Sequence, residues 1–70
     1  MLDFRKLRGR IIEKYDTLEN FAKSYGISTV CLSKKMNNRS QFTRKDILEM
    51  SEMLDISKEE IGDYFFTKRV

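Results

Sequence analysis

Five cations and no acid fall between residues 34 and 45: Lys34, Lys35, Arg39, Arg44 and Lys45. Ammonium and guanidinium groups at this density suit phosphate oxygens, which accept charge-assisted hydrogen bonds from them. Such contacts hold a protein on a polyanion, while base contacts read the sequence. Other chemistry is poorly provided for. Histidine is absent and Cys31 is the sole cysteine, so neither a His/Cys metal site nor an intrachain disulfide can be assembled. Cys31 reads as a small, partly buried filler rather than a reactive thiol. No nucleophile–base pair stands out, and Gly9, Gly26 and Gly62 are too scattered to cradle a phosphate. No catalysis, cofactor or metal is expected.

The charge is unevenly spread. Residues 1–45 carry 11 Lys/Arg against four Asp/Glu, a net +7, whereas residues 46–63 carry Lys58 against seven acids, a net −6. One side suited to a polyanion and another side unsuited to it is one reading; solvated charged faces are the other. The 70 residues make one domain. Basic residues near the start are followed by only Ile11-Ile12, which is no secretory signal, and no apolar run is long enough for a membrane. A cytoplasmic protein is expected.

The elements that must position these groups are helical. Proline is absent, and a Ser, Thr or Asp cap recurs with an apolar residue before it and another five positions after that one, the pair known as a hydrophobic staple. The pattern predicts five helices, over about 4–15, 17–24, 29–36, 44–54 and 58–64. Asp3 caps the first, with Leu2 stapled to Leu7 and Phe4, Leu7, Ile11 and Tyr15 along one stripe. Thr17 caps the second, with Phe21, Ala22 and Tyr25 inward and Gly26 ending it. Ser28 caps the third, with Ile27 stapled to Leu32 and Met36 continuing the buried edge. Thr43 caps the fourth, with Phe42 stapled to Ile47, Asp46 at the capping-box position, and Met50 and Leu54 inward. Ser57 and Glu60 form a capping box for the fifth. Asn37 and Asn38 suit the turn after the third helix. Phe65 and Phe66 pack on the core or on a partner, and Lys68, Arg69 and Val70 are expected to fray.

The informative segment is Thr17–Asn37. Ala22 is small where two helices must cross, Gly26 supplies a positive φ, and Ile27 and Leu32 plug the angle between them. The segment resembles the helix-turn-helix of the phage Cro/repressor family, also called the XRE type. That family's pattern is Thr-x-x-x-φ-Ala-x-x-x-Gly-φ-Ser-x-x-x-φ-Ser, with φ apolar; here Thr17, Phe21, Ala22, Gly26, Ile27, Ser28, Leu32 and Ser33 hold those places. The resemblance extends over residues 4–64 and is nearest to small phage transcriptional switch proteins. It implies an all-α, compact five-helix bundle with a lambda-repressor-like DNA-binding domain.

It also implies roles. Thr29 and Val30 would sit over base edges of double-stranded DNA, and Ser33 and Lys34 would reach bases or near phosphates. Lys35, Asn37 and Arg39 would contact the backbone. The function implied is a transcriptional regulator in a bacterial host, a homodimer on a two-fold operator, controlling a lysis–lysogeny switch. Two departures keep a second reading open. Leu18 stands where many members place a phosphate-bonding Gln, and the third helix carries no Arg, Gln or Asn before Asn37. Leu18 and Val30 would then be apolar contacts of an antirepressor or modulator that grips a phage repressor protein, and the acidic 46–63 segment would meet a basic partner surface. Val30 on DNA would pack against a thymine methyl.

Overall fold

The computed structural model describes residues 1–68; Arg69 and Val70, two of the three residues expected to fray, lie outside the described residues. Five helices follow in order: α1 Arg5–Tyr15, α2 Leu18–Tyr25, α3 Thr29–Met36, α4 Arg44–Met53 and α5 Ile61–Phe65. The protein is all-α, and among the described residues its extended pairing is a single antiparallel bridge between Leu2 and Lys68. Lys68 is therefore paired rather than frayed, and the neighbouring Asp3 N–H donates to the Thr67 carbonyl at 2.7 Å.

The caps at Thr17, Ser28 and Thr43 all form: each side-chain oxygen accepts the backbone N–H three residues on. Asp46 completes a capping box with Thr43, accepting the Thr43 N–H at 3.0 Å. The first and last helices depart from expectation. Phe4, not Asp3, stands at the N-cap of α1. The Asp3 carboxylate instead accepts the Arg5 N–H at 2.9 Å and grips the Arg5 guanidinium at 2.7 Å. Helix α5 starts at Ile61 rather than 58. The Glu60 carboxylate accepts both the Ser57 hydroxyl at 3.1 Å and the Ser57 N–H at 3.3 Å, but no helix N–H closes on the Ser57 hydroxyl among the described residues, and residues 58–60 stay in a turn.

The α1 stripe meets α2 and α5, α2 carries α3, and α4 closes on α5. Leu7, Ile11, Phe21, Leu32, Met50, Leu54 and Phe65 are fully buried at their meeting point. An edge-to-face chain of rings, Phe4 to Phe42 at 5.1 Å and Phe42 to Phe65 at 5.3 Å, joins the start of α1, the α3–α4 loop and the end of α5. Such pairs contribute about 1 kcal/mol each beyond their burial. Phe66 points outward, and Cys31 is exposed rather than a partly buried filler.

Candidate nucleic-acid interface

Three residues, 26–28, separate α2 from α3. Gly26 takes φ 100°, a left-handed value that L side chains rarely adopt. A Cβ built there meets nothing within 4 Å, so glycine is required for its dihedral and not for space. The Ala22 carbonyl accepts both the Gly26 N–H at 2.9 Å and the Ile27 N–H at 3.0 Å. The Ser28 hydroxyl then accepts the Cys31 N–H at 3.0 Å and restarts the helix. Leu32 and Met36 are the residues of α3 that reach the core; Thr29, Val30, Cys31 and Lys34 face out.

Thr29, Val30, Ser33, Lys34, Asn37 and Arg39 line one open surface groove, shared with Met1 and Asn38. These are six of the seven residues assigned to DNA from the sequence. Val30 is 64% exposed and puts a branched apolar side chain on this surface. Asn38 takes φ 62°, which turns the chain so that the Arg39 N–H closes on the Lys34 carbonyl at 2.9 Å. Its side chain reaches back to the N-terminal segment. The Leu2 N–H donates to Asn38 Oδ1 at 3.0 Å, and Asn38 Nδ2 donates to the Leu2 carbonyl at 2.9 Å. This amide-to-peptide pairing fixes the edge of the groove.

Lys35 is the residue left out. Its ammonium lies 2.9 Å from Asp46 Oδ2, donates to the Gln41 carbonyl at 3.0 Å, and sits 6.0 Å from the Phe42 ring centre. Its side chain is only 15% exposed. The signal was in the sequence: Leu32, Lys35 and Met36 share one helix face at the three- and four-residue spacing. Asp46 also receives the Tyr25 hydroxyl at 2.7 Å. Burial opposes charge on Asp46, yet the bonds from Tyr25, Thr43 and Lys35 outweigh it and hold the carboxyl well below the usual carboxylate range. The Tyr25 phenol is pushed up, by burial first and then by Asp46 and Glu49.

Ion pairing decides which cations remain for an outside anion. Lys6, Lys14 and Lys35 meet Asp63, Asp55 and Asp46. Arg5 meets Asp3, and Arg10 donates to the Tyr64 hydroxyl at 2.9 Å. Two of the five cations of α1, Lys6 and Lys14, are thus answered by the acidic 46–63 segment of the same chain, so the two charged halves meet along α1. Arg8, Lys23, Lys34, Arg39, Arg44 and Lys45 form no ion pair among the described residues. Arg44 and Lys45 occupy the first turn of α4, where the helix dipole disfavours cations. Leu18 is half-buried against the core, which leaves Val30 as the exposed member of the two apolar candidates.

Among the described residues, no group of three or more His, Cys, Asp or Glu is placed to hold a metal ion. No helix among them is long and apolar enough to cross a membrane. A family model described as a protein of unknown function (DUF739) matches residues 1–68. No curated protein matches the chain.

Proposed function

The chain belongs to the DUF739 family, whose description names no function, and we propose from its geometry that it is a DNA-binding transcriptional regulator of the helix-turn-helix type. The observation that carries this reading is the groove along the outer side of α3. Hydroxyls of Thr29 and Ser33, the apolar tip of Val30 and the unpaired cations Lys34 and Arg39 lie on one surface. Helix α3 is anchored through Leu32 and Met36, so its outer face is free to enter a major groove. Lys34 and Arg39 meet phosphates, joined by Arg44 and Lys45 at the start of α4. Thr29, Val30 and Ser33 face base edges.

One eight-residue helix reads few base pairs, so two copies act across a two-fold site. With no guanidinium or amide at the base-reading positions, sequence discrimination rests on thymine methyl contact and on DNA shape. The setting is the cytoplasm of a bacterial host, at a phage lysis–lysogeny switch, and no catalytic step is assigned. Selection of bound duplexes from a random pool tests this. Enrichment of a two-fold symmetric site supports it, and failure to retain any duplex at low salt rejects it.

The exposure of Val30 favours a second reading, in which the same groove grips a repressor protein and alters that protein's DNA binding. Val30→Ala and Lys34→Gln separate the two. Phosphate binding is weakened by Lys34→Gln at every DNA sequence, whereas a protein contact is weakened chiefly by Val30→Ala.

A further inference from the structure

Helix α1 carries five cations, and four have partners inside the chain. Arg5 is held by Asp3 at 2.7 Å. The Lys6 ammonium lies 3.8 Å from Asp63 and 4.8 Å from the Tyr64 ring centre. Arg10 bonds the Tyr64 hydroxyl, and Lys14 meets Asp55 at 2.7 Å. Arg8 is exposed and has no ion pair, side-chain hydrogen bond or ring contact among the described residues. It lines a small cleft between the start of α1 and the end of α3, together with Phe4, Arg5, Met36 and Asn37.

Asn37 belongs to both surfaces: it lines this cleft and the groove that holds Lys34 and Arg39. The Arg8 cleft therefore adjoins the proposed DNA face at Asn37. Asn37 itself is poorly placed to bind phosphate. Its amide nitrogen already donates to the Ser33 carbonyl at 2.9 Å and to Ser33 Oγ at 3.2 Å, which uses both of its N–H groups. A phosphate oxygen at that end of α3 needs a donor, and Arg8 brings an uncommitted guanidinium with five. Phe4 and Met36 are buried and apolar, a floor along which an arginine stem can lie while its head stays in water.

We infer that Arg8 is a phosphodiester-binding residue, extending the DNA-backbone contact of α3 across Asn37 onto α1. This rests on the DNA-binding reading above. The test is a salt titration of duplex binding by the full chain, using a duplex retained in the selection. Arg8→Gln is expected to lower the slope of log K against log salt by about 0.9, one phosphate. The loss should be equal for specific and unrelated duplexes, Arg8→Lys should restore the slope, and the thermal midpoint should not move. Lys23→Gln, which removes an unpaired cation elsewhere, should leave the slope unchanged. Wild-type binding with an unaltered slope in Arg8→Gln overturns the inference and leaves the DNA reading standing. An equal drop in Lys23→Gln also overturns it, since the slope would then follow net charge alone. Absence of wild-type binding at low salt removes both.

Discussion

The Lys35 ammonium of α3 lies 2.9 Å from the Asp46 carboxylate of α4, and both side chains are almost fully enclosed, at 15% and 12% exposed. Through Tyr25, which donates to the same carboxylate, the contact spans α2, α3 and α4. Lys35 therefore sets the pose of the proposed recognition helix without touching its outer face. Lys35→Met is expected to lower stability by about 2 kcal/mol, because it strips one partner from a buried charge. That corresponds to a thermal midpoint roughly 8–16 °C lower. Lys34→Gln should leave the midpoint within a degree or two while weakening DNA binding. Calorimetry on the two adjacent variants checks this, and equal midpoints would contradict it.

The same carboxylate sets an acid limit. Asp46 is held below its ordinary range, so its charged form is the one that stabilises the fold. A depressed carboxyl contributes fully above the unfolded value of about 4, and the contribution fades as pH falls from there toward its folded value. The stability advantage of the wild type over Asp46→Asn should be constant from pH 5 to 8, as order-of-magnitude bounds around that window, and should shrink below about pH 4. Urea unfolding at several pH values measures it. An advantage that persists undiminished at about pH 2 would oppose the assignment.

Ser51 is 4% exposed on α4, and its hydroxyl has no hydrogen-bond partner among the described residues. A buried unpaired hydroxyl costs free energy, and alanine is the better helix former. Ser51→Ala is expected to raise stability by about 1 kcal/mol, or about 4–8 °C in the midpoint. A lower midpoint would show that the hydroxyl is satisfied.

Asp16 links α1 to α2 with φ 73° and ψ −46°. The Thr17 N–H closes on the Tyr15 carbonyl at 2.8 Å, a three-residue γ-turn that is strained for any residue with a Cβ. Asp16→Gly relieves that strain at some cost in unfolded-state entropy, for a net gain of about 1 kcal/mol. Thermal unfolding checks the sign, and a loss of stability would mean that the carboxylate makes a contact worth more than the strain.

What the sequence made legible was local. Thr17, Ser28 and Thr43 cap helices through atoms three residues away, and Gly26 ends α2 by its own dihedral freedom, so these features follow from short windows. Helix α3 came out at its expected bounds for that reason. The rest depends on residues far apart in the chain. Asn38 binds Leu2 across 36 positions, and Lys14 finds Asp55 across 41. No window shows that most of the basic stripe of α1 is used up within the fold. Ser57 and Glu60 do interact, through the Ser57 N–H and hydroxyl on the Glu60 carboxylate, but the reciprocal bond from a helix N–H to the hydroxyl is not made among the described residues and the helix starts later. The outer surface of α3 is legible because cap and staple fix its phase; the inward turn of Lys35 follows its place beside Leu32 and Met36 and runs against the outward preference of its charge.

The central claim is that the outer face of α3 binds the phosphate backbone and base edges of duplex DNA. Fluorescence anisotropy of the full chain with a labelled duplex, between about 50 and 200 mM salt, measures this most directly. The account predicts a log–log slope of about −2.7 or steeper, three or more phosphates at 0.9 each, and a shallower slope for Lys34→Gln. No binding at the low-salt end, or binding whose strength does not change with salt, would contradict it.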